Sequence, residues 1–96
     1  MLHIISQSPV EYSVLDRIDP GDQVLFIENA VLSLIEGGRL TSNLIQLQKK
    51  APLFILAPDL ETRGIDKENL VAGIESIEYT DFVELTVQNK VIHSWC

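Results

Sequence analysis

The sequence is poor in cysteine, in positive charge and in long apolar runs. It has one cysteine, the last residue, Cys96. One cysteine forbids an internal disulfide, so burial must hold the fold together without a covalent staple, as expected in a reducing compartment. Only seven Lys and Arg stand against fourteen Asp and Glu, a formal net charge of −7. That balance argues against a chain that grips nucleic-acid phosphates or an anionic membrane surface by itself, because both tasks fall to clustered basic residues. No apolar run approaches the ~20 residues of a membrane helix. The start, Met1 to Ser6, carries no basic residue and is polar again at Ser6, unlike a secretory signal. Neither a G-x-G-x-x-G stretch nor a P-loop sequence occurs. These absences lead to the expectation of a soluble, cytoplasmic protein without a nucleotide-phosphate cradle.

What the sequence does have is a set of short apolar runs separated by turn signals. Its 96 residues suit a single domain, 1–96, and 46% of them are hydrophobic. Leu53 to Ala57 is apolar without a break, and so is Val24 to Ile27. A strand apolar at every position is buried on both faces, the mark of an inner strand of a parallel sheet. Pro58 removes a backbone donor and should stop the first of these runs. Asp59 is expected to cap a turn over Leu60 to Arg63, and Gly64 to end that turn in the left-handed region.

The remaining segments follow in alternation. Leu2 to Ile5 reads as a strand. Ser8, Pro9 and Glu11 have the spacing of an N-cap, a first helical residue and a capping-box return, which predicts a helix burying Val10, Val14, Leu15 and Ile18. Asp19-Pro20-Gly21-Asp22 is a turn. Asn29 is a candidate N-cap for a short helix placing Ala30, Val31, Leu34 and Ile35 on the sheet, with Gly37-Gly38 ending it. Thr41 to Lys50 predicts a helix with Leu40, Leu44 and Leu47 inward. Asp66 to Asn69 reads as a loop or one helical turn. Ile74 to Tyr79 reads as a strand. Thr80 or Asp81 should cap a last helix with Phe82, Val83 and Val87 on its apolar side. Val91 to Trp95 alternates as a short edge strand. Such alternation of β and α predicts a small three-layer α/β/α domain with a mostly parallel sheet of about five strands.

In such sheets sites form outside the carboxyl ends of the strands. Those ends supply Ser6, Gln7 and Ser8, then Glu28 and Asn29, then Asp59, then Thr80 and Asp81. They read first as caps and turn formers, and second as an acidic binding edge suited to a cationic ligand or a basic protein surface. Asp59 lacks the acid cluster and lysine a phosphoacceptor would need. His3, His93 and Cys96 include zinc-ligand types but not in a zinc spacing, and His3 and His93 fall in different strands with nothing to bring them together. Cys96 could carry sulfur, although the carboxylate beside it disfavours a thiolate. Trp95, with Val91, Ile92 and Tyr79, fits either a closed core or an edge that invites a partner.

Four stretches carry a family resemblance. They are Met1-Leu2-His3-Ile4 leading to Ser8-Pro9; Leu25-Phe26-Ile27-Glu28-Asn29; Asp59-Leu60-Glu61-Thr62-Arg63-Gly64; and Tyr79 to Thr86 with Trp95 beyond. In order and spacing they resemble the TusB/DsrH family of the DsrE/F/H-like superfamily. The resemblance implies a DsrE/F/H-like fold and an accessory, non-catalytic subunit. It implies TusC-like and TusD-like partners in a heterotrimer that pairs to a hexamer, with no cofactor and no metal. Such a complex passes persulfide sulfur towards 2-thiolation of the tRNA wobble uridine, with the sulfur-carrying cysteine on the TusD-like subunit. DsrH-like members serve in dissimilatory sulfur oxidation and carry an internal cysteine before the second strand. Tyr12 to Asp22 has none here, which favours the TusB-like reading.

On this reading Glu28, Asn29, Asp59, Arg63, Tyr79, Asp81 and Trp95 are the candidate partner-facing or strand-end residues, and no direct contact with nucleic acid is expected. The isolated chain is open to self-association. Two other readings compete: a sulfurtransferase using Cys96 as persulfide carrier, and a free-standing ligand-binding domain using Asp59 or Asp81.

Overall fold

The computed structural model describes residues 1–96. Five strands form one sheet: β1 (Leu2–Ile5), β2 (Gln23–Phe26), β3 (Leu53–Leu56), β4 (Glu75–Ile77) and β5 (Ile92–Trp95). Their order across the sheet is β4-β3-β2-β1-β5, and every pairing is parallel. The two uninterrupted apolar runs are inner strands, β2 and β3, as their pattern predicts. β5 is an edge strand, and its parallel direction, which its sequence leaves open, follows from the pairing of Ile5 with Trp95. The architecture is α/β of the expected kind.

The two faces of the sheet are unequal. On one, Ile5, Val24, Phe26, Leu53 and Ile55 meet α1 (Tyr12–Leu15), a 3-10 helix (Glu28–Leu34), α2 (Thr41–Leu47) and α3 (Ala57–Thr62) in a core of 20 buried residues. On the other, Leu2, Leu25, Leu56 and Ile77 meet α4 (Tyr79–Gln88) through Leu85, a core of five. We call these the wide and the narrow face. Leu40, Leu44 and Leu47 are buried as their spacing predicts, and Gly64 ends α3 with φ +66°. A 3-10 turn, Lys67–Asn69, fills the stretch expected to be a loop or single turn.

Helix starts differ from the expectation in four places, in three of them because a side chain is used across the fold and not along it. α1 begins at Tyr12, not Pro9. The Glu11 amide donates to Gln7 Oε1 at 2.8 Å, and the Val10 amide to Ser33 Oγ at 3.3 Å. The Val10 carbonyl accepts from the Arg39 guanidinium. Tertiary partners thus satisfy the backbone groups that a helix from Ser8 would have used. Val10, Val14, Leu15 and Ile18 are nevertheless all buried. Asn29 caps nothing: the 3-10 helix starts at Glu28 without a side-chain cap, and Asn29 Oδ1 accepts instead from Arg63 Nε at 2.9 Å. Asp59 lies inside the first turn of α3, whose N-cap position is Leu56. It serves another element, described below.

The fourth difference is at α4. Tyr79 opens this helix and does not extend β4, which ends at Ile77. Glu78 is the N-cap and Asp81 is the return residue of a capping box, its Oδ2 accepting the Glu78 amide at 3.1 Å. The box exists, one helical turn earlier than the Asp81-Glu84 spacing suggests. Leu85 faces inward on this helix, and Val83 and Val87 are exposed, contrary to the expectation that they line its apolar side. Ile35 also ends beyond the 3-10 helix and is partly exposed, not on the sheet.

Candidate functional site at the carboxyl edge of the sheet

With all strands parallel, every carboxyl end opens on the same edge. Glu28, Asn29, Asp59, Arg63, Tyr79, Asp81, Trp95 and Cys96 all follow or end strands there. They do not form one cluster. The structure joins four of them and places the others in two separate settings.

The joined set is Glu28, Asn29, Asp59 and Arg63. The Glu28 amide donates to Asp59 Oδ2 at 2.7 Å. Arg63 lies one helical turn after Asp59. Its Nη1 is 3.6 Å from Asp59 Oδ1 and donates to the Asp59 carbonyl at 3.2 Å, while its Nε donates to Asn29 Oδ1 at 2.9 Å. Asp59 and Arg63 are both largely covered. Glu28 is the one non-glycine residue with positive φ, +53°. A side chain in that region costs roughly 1–2 kcal/mol, and the bond from Asp59 is what holds the Glu28 backbone there. This cluster therefore clamps the end of β2 to the start of α3. Both carboxylate oxygens of Asp59 are engaged within it.

Tyr79 and Asp81 sit at the start of α4, Asp81 in the capping box and Tyr79 exposed. Glu75, Asp81, Glu84 and Gln88 line an acidic groove of about 220 Å³ with Phe54, Ser76, Ile77 and Leu85.

Trp95 belongs to a third setting. Its ring stacks on His93 with centroids 4.0 Å apart, and its Nε1–H donates to Nδ1 of His3 at 3.2 Å. His3 is almost completely buried. An indole N–H can only donate, so His3 Nδ1 accepts and the imidazole proton is on Nε2. That proton goes to Asp22 Oδ2 at 2.8 Å. Asp22 Oδ2 also accepts the Asp19 amide at 3.0 Å, and Oδ1 faces the Met1 amino group at 3.4 Å. Burial pushes the Asp22 carboxyl up. The hydrogen bonds from His3, the Asp19 amide and the Met1 amino group, with the charge of the last, outweigh it and hold the carboxyl below its ordinary value.

The chain Trp95–His3–Asp22 corrects the expectation that nothing unites the histidines. His3 and His93 are register partners on β1 and β5, with ring centroids 6.5 Å apart. Both ring nitrogens of His3 are occupied by protein groups. Trp95 is partly buried and packs on the wide-face core. Asp22 is the residue that sequence reasoning missed. The available signal was His3 itself: a histidine between apolar neighbours in a buried strand needs a polar partner. Cys96 is exposed and free.

Known proteins match this chain over nearly its whole length. The sequence profile of a family described as "DsrH like protein" matches residues 7–92. "Protein TusB" of Photorhabdus laumondii is 37% identical over 98 residues, covering 99% of this chain and 100% of that protein. "Protein TusB" of an Enterobacter species is 33% identical over 100 residues, with 99% and 100% covered. Among solved structures, the ychN protein from E. coli superposes with a TM-score of 0.81 at 15% identity over 98% of this chain and 97% of that one. MTH1491 from Methanobacterium thermoautotrophicum, a protein of unknown function, superposes with a TM-score of 0.80 at 12% identity over 97% and 96%. At those identities the structural matches establish the fold, and the sequence matches over nearly the full length establish the lineage: the chain belongs to the DsrH-like protein family.

Proposed function

We propose that this chain is an accessory, non-catalytic subunit of a cytoplasmic sulfur-relay complex that passes persulfide sulfur towards thiolation of the tRNA wobble uridine. Its partners would be TusC-like and TusD-like chains. The observation that carries the reading is end-to-end similarity to proteins named TusB. The chemistry of the edge is in keeping with it. Asp59, Arg63 and Asn29 bond to one another and to the Glu28 backbone, a use that stabilises the fold. The stretch Tyr12 to Asp22 holds no cysteine, and Cys96 is the only thiol. A net charge of −7 assigns contact with tRNA to other subunits.

The test is native mass spectrometry of the tagged chain drawn gently from its own host without reductant, followed by Cys96→Ser. The expected result is co-purification with two small chains in equal amounts, a sulfur adduct on a partner cysteine, and unchanged tRNA thiolation in the Cys96→Ser strain. Loss of thiolation in that strain would make Cys96 the carrier and overturn the accessory role.

A further inference from the structure

The narrow face of the sheet is less completely covered than the wide one: Leu2, Leu25, Leu56 and Ile77 are buried beneath α4, but Ile92 at the β5 edge is exposed. Five strands span about 19 Å from first to last, and a single helix is about 10 Å across. On this face α4 is the only helix, and Leu85 is its only buried residue. Tyr79, Val83 and Val87 recur at four-residue spacing along its outer side and are 58%, 61% and 80% exposed. Ile92 of β5 is the register partner of Leu2, so it shares this face, and it too is exposed. Isolated exposed valines need no explanation, but a row along a helix beside an uncovered strand is a patch.

The charges around the patch say what kind of surface suits it. Glu75, Glu78, Asp81 and Glu84 surround the start and flank of α4, and no Lys or Arg occurs from Glu75 to Asn89. The first base, Lys90, lies past the end of the helix. A second copy of this chain would set carboxylates against carboxylates, and like charges across an interface suppress the pairing. A chain with an apolar centre and a rim of Lys or Arg would cover the outer side of α4 and the β5 edge and neutralise the rim.

We infer that the outer side of α4, with Ile92, docks a different protein chain that is apolar at its centre and basic at its rim. The inference rests on the accessory-subunit reading and specifies the surface that reading leaves open. Val83 and Val87 would sit at the centre, Glu75 and Glu84 at the rim.

The experiment is co-expression of the full chain with the TusC-like and TusD-like chains of its host, read by native mass spectrometry over a dilution series. The variants are Val83→Asp with Val87→Asp, Glu75→Lys with Glu84→Lys, and, as a control on the wide side, the exposed Ile45→Asp of α2. A thermal melt of each isolated chain verifies folding, which the exposed positions should preserve. The double Asp variant is expected to raise the concentration needed for assembly about 100-fold. The double Lys variant should raise it about tenfold at low salt and less at high salt, and Ile45→Asp should leave it unchanged. Wild-type assembly that the double Asp variant matches would overturn the surface and leave the accessory reading standing. Failure of the wild type to assemble would overturn that reading together with the occupant named here. A homodimer dispersed by the double Asp variant would overturn the choice of a different chain.

Discussion

The two faces of this sheet are built from the same kind of strand and end in different states. The wide face buries 20 residues under four helical elements, and the narrow face buries five under one. β2 contributes Val24 and Phe26 to one side and Leu25 to the other, all fully buried. The strands therefore do not distinguish the faces; the supply of covering helices does. The wide face closes within the chain, even recruiting Trp95 from the edge strand. The narrow face stops at Leu85 and turns Val83 and Val87 outward. One side of a small α/β sheet can thus hold most of the buried core while the other holds little.

Substitutions at the core put this asymmetry to a direct trial. Phe26→Ala on the wide face should cost about 3–5 kcal/mol, and Leu85→Ala on the narrow face about 2 kcal/mol, at the low end for such a change. Urea melts of both variants measure the difference, and equal losses would mean that the faces share the stability evenly. Next in size is the link at the wide-face margin. Asp22→Asn should lower stability at pH 7 by about 1–2 kcal/mol through the loss of charged hydrogen bonds.

The sign of its pH dependence follows from the lowered Asp22 carboxyl. The stabilisation is complete above the unfolded-chain value of about 3.9 and is lost as pH falls through the lower folded value. The wild-type and D22N curves should therefore converge at acid pH in urea midpoints taken from pH 7 downward.

Smaller effects refine the picture at the strand ends. Glu28→Gly removes the side chain from its positive-φ position but frees the unfolded backbone, so the stability change should stay within about 0.5 kcal/mol. Glu28→Val should cost at least about 1 kcal/mol, because a β-branched residue fits that region worst. Smallest of all, Val87→Thr should change the stability of the isolated chain by less than about 0.5 kcal/mol. A larger loss would show that α4 buries its outer side in the isolated chain.

Much of the fold is legible because burial leaves a local record. The unbroken apolar runs of β2 and β3 announce inner strands, and the spacing of Leu40, Leu44 and Leu47 announces a buried helix face. Helix starts resist such reading where one residue type serves two purposes. Asp59 and Asn29 are good caps in isolation, yet here they bind the Glu28 amide and Arg63 across the edge. In α4 both Glu78 and Asp81 can begin a capping box, and which of Phe82, Val83, Leu85 and Val87 faces the sheet is settled by packing and not by the cap. The candidate residues stand at the expected edge because they follow strands, but their division into a clamp, a groove rim and a histidine link has no signature in the chain order.

The class of fold, the inner strands, the acid surplus and the family are written in neighbouring residues or in their order along the chain, and the sequence alone suffices for them. Three outcomes required the folded chain: β5 runs parallel to β1, His3 lies between Trp95 and Asp22, and one face of the sheet is covered by a single helix. Those outcomes depend on residues as far apart as His3 and Trp95 meeting at hydrogen-bond distance. No local preference encodes such a meeting; it follows from the crossovers that place β5 beside β1 and leave α4 alone on its side of the sheet.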